Sequence, residues 1–219
     1  MSKKVQGGGV LGISGFARTG KDTLCQLLLK RMNENSKRVA LADALKTEMS
    51  PVLRNYFDKD VWTQDSKEKE LLRPLMVAWG GIRRRESKGT HWTNIATIEI
   101  QKIVEAGGWA IVTDIRYANP DYPSDEVFWL KSLGGTLVHL KKYEQFQTFT
   151  GPMEEPTGWI DCGRSYVEAP NVDEAENDVK LQELADYKIE WRDVGTSLHL
   201  LEDHIDSLVD YLNEYKRSK

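Results

Sequence analysis

Apolar residues along the chain fall into short continuous runs that alternate with stretches of helical spacing. Residues 10–14 read as a buried strand, and an amphipathic helix over 25–32 follows, with Leu24, Leu27, Leu28 and Met32 on one side. A second strand is expected over 38–42, then helical spacing from Ala44 toward Tyr56 and a polar, aromatic-dotted connection over 57–66. A helix over 67–79 is expected to stop at Gly80 and Gly81, with Pro74 marking a kink or boundary inside it. Thr93 or Asn94 is placed to cap another helix, whose apolar positions Ile95, Ile98, Ile103 and Val104 run to Gly107 and Gly108. Strands over 109–114, 136–140 and 187–191, helices over 125–133 and 174–184, and a last helix with Leu201, Ile205, Leu208 and Leu212 on one face complete the pattern. Strands alternating with helices predict an α/β fold in which helices cover both sides of a mostly parallel, five-stranded sheet.

Residues 143–172 break this pattern. They are rich in Gly and Pro, carry Tyr143, Phe146, Phe149, Trp159 and Tyr166, and show neither helical nor strand periodicity. Such an insertion in a compact domain reads as a lid over a site. The 219 residues otherwise suit a single domain over 1–219, large enough for a substantial core.

Charge narrows the function classes. A net charge of −4 leaves no broad basic face, so neither a general nucleic-acid binder nor a membrane-surface protein is expected. Cys25 and Cys162 form no metal-ligand spacing and no disulfide framework, and Cys25 is expected to serve packing. The amino-terminal residues lack the apolar centre of a signal peptide, and no later run reaches membrane-spanning length, so the expected location is a soluble, reducing, cytoplasmic one.

The most specific chemistry lies between the first strand and the first helix. Gly15, Gly20 and Lys21 have the spacing of a loop that wraps a nucleotide's phosphates, and strand, glycine loop and helix follow in the order such a loop requires. Glycine permits conformations and close approaches that a Cβ blocks, so successive N–H groups can converge on phosphate oxygens at the positive end of the helix. Lys21 adds a mobile charge for the outer phosphates. Asp22 occupies the position where the common pattern has a magnesium-binding hydroxyl, and Thr23 supplies that hydroxyl one place later.

Further candidates cluster at strand ends. Asp114 and Arg116 follow a buried strand, where open parallel sheets place their ligand crevice, and are expected near Lys21. Asp114 could hold a metal-bound water or orient a substrate group while Arg116 grips a phosphate; the alternative is an ion pair between the two. Asp43 and Lys46 hold a comparable position after the second strand, or else act as a helix cap and a solvated lysine. Arg73 and the run Arg83, Arg84 and Arg85 offer cations for phosphate, and Trp79 and Trp92 could stack on a base or pack in the core. His91, His139, His199 and His204 form no metal spacing and no nucleophile–histidine–acid signature.

Taken together, Gly15 through Thr23, the stretch from Ala42 to Lys46, residues 75–80 ahead of Trp92, and Asp114 with Arg116 resemble bacteriophage-type deoxynucleoside monophosphate kinases in order and spacing. The resemblance extends patchily from about residue 10 to residue 212 and includes residues 171–175 and a turn at 192–195. It implies a three-layer P-loop kinase fold with a lid insertion, and transfer of the ATP γ-phosphoryl group to a deoxynucleoside 5′-monophosphate with Mg²⁺ as the metal. By position, Gly15, Ala17, Arg18, Thr19, Gly20, Lys21, Asp22, Thr23 and Arg192 are expected on the ATP side, with Asp22 or Thr23 at the metal. Lys21, Asp114 and Arg116 would act in the transfer, and Asp43, Lys46, Arg73, Trp79, Arg84 and Arg116 would line the acceptor site. Lys141, Lys142 or Arg164 would close from the lid. The implied partners are small-molecule nucleotides inside a bacterial or phage-infected cell, with a homodimer left open.

Asn171 stands where the family has a histidine, Gly81 where a threonine is usual, and the insertion from Tyr143 is longer than expected. Two other readings stay open. One is a P-loop kinase of another small molecule, of phosphomevalonate or dephospho-coenzyme A type; the other is a nucleotide-binding switch or assembly protein without turnover.

Overall fold

The computed structural model describes residues 3–122, 125–150, 158–169, 171–192 and 199–217, leaving aside the side chains of 146–150, 158–162, 199–200 and 215–217. In chain order the elements are β1 (Gly9–Ser14), α1 (Lys21–Leu29), β2 (Lys37–Val39), α2 (Leu41–Phe57), α3 (Ser66–Glu86), α4 (Thr90–Glu105), β3 (Trp109–Ile115), α5 (Glu126–Ser132), β4 (Thr136–Thr150), β5 (Gly158–Tyr166), α6 (Val172–Leu184), β6 (Tyr187–Arg192) and α7 (His199–Arg217). Among the described residues, the sheet runs β2-β3-β1-β4 with β6 also on β4, all parallel, and β5 adds an antiparallel strand to the far part of β4. After β1 the chain builds outward on one side through β2 and β3, then crosses to β4 on the other. The crevice at the carboxyl end of β1 is the switch point where such sheets bind ligands.

Alternation along the strands divides the core into two layers. Leu11, Ile13, Trp109, Ile111, Val138, Leu140 and Ile189 face α1 and α7, packing on Leu24, Leu28, Leu201, Ile205, Leu208 and Leu212. Val10, Ala110, Val112 and Leu137 face the opposite way, onto Trp92, Ala96 and Ile100 of α4, Leu130 of α5 and Leu181 of α6. Both faces of the parallel strands are therefore buried, which is why these strands read as continuous apolar runs. Trp92, open between stacking and packing in the sequence, is a core residue at 7% exposure.

Three expectations are corrected. The sheet has six strands among the described residues, because within the stretch expected to be irregular β4 continues to Thr150 and pairs with β5 over Gly158–Tyr166. Glu144, Gly163, Arg164, Ser165 and Tyr166 are all exposed there, so among the described side chains burial imposes no two-residue alternation of the kind that marks a strand. The expectations resting on the side chains of Phe146, Phe149 and Trp159 fall outside the described residues.

The third helix does not stop at Gly80 and Gly81 but runs to Glu86. Each helical glycine costs about 1 kcal/mol against alanine, yet packing overrides it. A Cβ on Gly80 would lie 3.3 Å from Leu45 of α2, so the glycine lets the helices approach. Glu48 of α2 clamps both sides of the glycines, accepting from Trp79 Nε1 at 3.1 Å and Arg83 Nε at 2.8 Å. The true break is at Lys88 and Gly89, both with positive φ (51° and 91°), and α4 starts at Thr90 rather than at Thr93 or Asn94. Among the described residues, no helix is long and apolar enough to cross a membrane.

Candidate active site

The loop between β1 and α1 is shaped by two glycines that nothing else could replace. Gly15 has φ 129°, and a Cβ there would meet the Leu140 carbonyl oxygen of β4 at 2.2 Å. Gly20 caps α1 at φ 96° with no side-chain cap bond, and a Cβ there would lie 2.8 Å from Trp191 Cζ2. Between them the buried Thr19 donates its hydroxyl to the Phe16 carbonyl at 2.9 Å, while Ala17 is half-buried and Arg18, at φ 68°, is exposed. The first-turn N–H groups of α1 have no helical partners, which makes this end of the helix receptive to an anion.

Lys21 turns back into the loop, its ammonium donating to the carbonyls of Gly15 at 2.8 Å and Phe16 at 2.6 Å. Burial lowers its pKa to about 8, and the Arg116 guanidinium pushes in the same direction. Lys21 and Arg116 thus share one electrostatic neighbourhood, as the sequence predicts. A small cavity is lined by Gly15 and Phe16 of the loop, Ile115 and Arg116 at the end of β3, and Glu174, Asp178 and Leu181 of α6.

Asp114 and Arg116 do not pair with each other. The Asp114 carboxylate accepts from the N–H groups of Leu41 at 2.9 Å and Ala42 at 2.8 Å, so it caps α2 and ties that helix to the end of β3. Desolvation pushes its pKa up against those two donors. Arg116 instead meets Glu174 of α6 at 3.1 Å and remains half exposed. Its backbone N–H and that of Tyr117 both donate to one oxygen of buried Glu126.

Glu126 has its pKa raised to about 8, first by burial and then by Asp114 and Asp125. A raised carboxyl pKa gives stability that is complete below the unfolded value and is lost as pH climbs through about 8. Glu126→Gln keeps an oxygen for both N–H groups and removes the titration. We expect the variant to match the wild type in thermal unfolding at pH 5 and to exceed it at pH 8, by an amount on the order of a few kcal/mol. An equal difference at both pH values would contradict this.

The remaining candidates scatter. Asp22 is largely exposed and turned toward Arg38 at 3.4 Å, and Asp43 holds the same guanidinium at 2.9 Å. Thr23 is half-buried in the first turn of α1. Lys46 lies 3.8 Å from Asp43 and 4.8 Å from the Trp62 ring centroid. Trp79 is half-buried and engaged by Glu48, and Arg73 is exposed on α3.

Arg84 is already engaged. It forms a two-pronged ion pair with fully buried Asp125, at 3.2 and 2.7 Å, and stacks 3.9 Å from the Tyr117 ring centroid. This pair joins α3 to the start of α5.

On the hairpin side, Lys142 lies 5.7 Å from the Trp191 ring centroid, Lys141 donates to Gln182 at 2.8 Å, and Arg164 sits 3.4 Å from Glu190 and 4.5 Å from the Tyr143 ring. Arg192 is half-buried with its Nε unpartnered, and the turn expected after it lies outside the described residues. Asn171 caps α6, accepting from Glu174 N–H at 2.8 Å.

Several site residues escaped the sequence reading. Glu174 lay within the 171–175 segment of the resemblance, but its pairing with Arg116 was not read. Ser14, His139 and Asp178 converge behind the loop, with Ser14 Oγ 3.0 Å from His139 Nδ1 and Asp178 3.6 Å from Nε2. Burial lowers the His139 pKa to about 4, aided by Lys141, Lys188 and Lys21. Ser14 is fully buried, so this trio is a packed polar group and not a nucleophile facing substrate.

A family model described as phosphomevalonate kinase matches residues 13–123, just over half of the 219 residues. Compared with curated proteins, the chain finds no match. The matched span runs from the end of β1 through the glycine loop, α1 to α4, and β3 with Arg116. The chain belongs to the phosphomevalonate kinase family, a family of kinases.

Proposed function

We propose that this chain transfers the γ-phosphoryl group of ATP to the phosphate of a small phosphomonoester, releasing ADP and the acceptor's diphosphate. The observation that carries the reading is a cavity lined on one side by Gly15 and Phe16 of the glycine loop, whose carbonyls hold the Lys21 ammonium, and on the other by Arg116 just past the adjacent strand β3. Phosphoryl transfer is mainly positioning and charge stabilisation, and it needs cations on both the donor and the acceptor phosphate. An acceptor phosphate oxygen bonds to the γ-phosphorus as the bridge to the β-phosphate breaks, and that bridging oxygen leaves with ADP. The loop N–H groups from Gly15 to Thr23 would hold the donor phosphates, Lys21 would follow the charge as it moves, and Arg116 would hold the acceptor. The Thr23 hydroxyl would help to hold magnesium, which would supply positive charge to the donor phosphates, whereas the Asp22 carboxylate is drawn to Arg38.

The family match favours an acceptor of phosphomevalonate type. A deoxynucleoside monophosphate is the second reading, favoured by Trp62, with Lys46 over its ring, and by Trp79 on the next helix, which offer aromatic faces on the α2–α3 side. ADP release with mevalonate 5-phosphate, each deoxynucleoside monophosphate and dephospho-coenzyme A separates the acceptors. Turnover with mevalonate 5-phosphate alone would exclude the nucleotide reading, and turnover only with nucleotides would exclude the first.

A further inference from the structure

Trp191 lies far from the loop in sequence and directly beneath it in the fold. Its indole Nε1–H donates to the Thr19 carbonyl at 2.9 Å, and its ring packs where a Cβ on Gly20 would have to go. The side chain is buried at 7% exposure. A trans peptide carries its C=O and N–H on opposite edges, so a bond that fixes the Thr19 carbonyl also fixes the direction of the Gly20 N–H, away from the indole. Gly20 has no side chain and α1 has no side-chain N-cap, so the peptide that opens the helix takes its orientation from outside. Thr19 is held at both ends, by its hydroxyl on Phe16 and its carbonyl on Trp191.

We infer that Trp191 is a positioning residue for anion binding by this loop: it anchors the Thr19–Gly20 peptide so that the Gly20 N–H and the first N–H groups of α1 face the donor phosphates. The inference rests on the proposed reading of the loop as the ATP phosphate site. The ring is covered by the loop and is not available to stack on a base. Its contribution therefore belongs to the polyphosphate and not to the adenosine.

Calorimetric titration of the full chain with tripolyphosphate, ATP and adenosine tests this in the wild type and in Trp191→Phe, which keeps an aromatic ring but lacks the N–H. Thermal unfolding confirms that each protein is folded at the titration temperature. Trp191→Met, an adaptable filler that equally lacks the N–H, stands in if the phenylalanine variant does not fold. Loss of one ordinary hydrogen bond is expected to weaken tripolyphosphate and ATP alike, about five-fold, and to leave adenosine unchanged. Unaltered tripolyphosphate affinity, or a loss confined to ATP and adenosine, overturns the inference alone. Failure of the wild type to bind either polyphosphate overturns the reading of the loop and the inference with it.

Discussion

Lys21→Ala is expected to lower kcat by about a thousand-fold or more while the protein stays folded. The ammonium now rests on two loop carbonyls, the place a γ-phosphate would take over as charge develops during transfer. Its pKa near 8 means that the fold disfavours the charged form, so removing it costs the native state little. Steady-state ADP release, with a thermal unfolding curve beside it, checks both halves. Activity within ten-fold of the wild type would remove Lys21 from the mechanism. The same group sets an alkaline limit: kcat/KM for ATP should fall as pH rises past about 8, because the neutral amine attracts no phosphate. Lys21→Arg, whose guanidinium stays charged, should abolish that limb even if its overall rate is low.

Arg116→Ala is expected to raise the acceptor KM by about ten-fold or more and to lower kcat with it, because charge-assisted hydrogen bonds to phosphate are worth about 1.5–3 kcal/mol each. The KM for ATP should change far less. Glu174 is the present partner of Arg116, and the arginine is half exposed, so loss of the pair should barely move the unfolding midpoint. Glu174 engages one guanidinium nitrogen and holds the arginine beside the cavity, leaving its other N–H groups for an acceptor. Unchanged acceptor kinetics in Arg116→Ala would sink the acceptor-site assignment.

What the sequence revealed and what it hid follow one physical division. The glycine loop was legible because its signal is local: Gly15 and Gly20 take positive φ, and Lys21 follows at a fixed spacing. The alternating elements were legible because both sheet faces are buried. The partners of Arg84 were hidden because Asp125 and the Tyr117 ring come from far along the chain, and a run of three arginines looks the same whether one is buried or all are solvated. The stop at Gly80 and Gly81 failed because the approach of Leu45 and the Glu48 clamp outweigh glycine's preference. Asp114 was placed correctly at a strand end, yet only the fold shows that its carboxylate is occupied by the start of α2. Trp191 was legible as a buried strand residue and nothing more, since its hydrogen bond to Thr19 joins opposite ends of the chain.

Phosphoryl transfer between two phosphate groups, one held by Lys21 and one by Arg116, can be followed by the path of the γ-phosphate. Incubation with magnesium and ATP labelled at the γ-phosphate, followed by separation of the products over mevalonate 5-phosphate and the deoxynucleoside monophosphates, tests it most directly. The account predicts label in the diphosphate of at least one acceptor, in step with ADP. ATP bound by the wild type with label passing to none of these acceptors would contradict it.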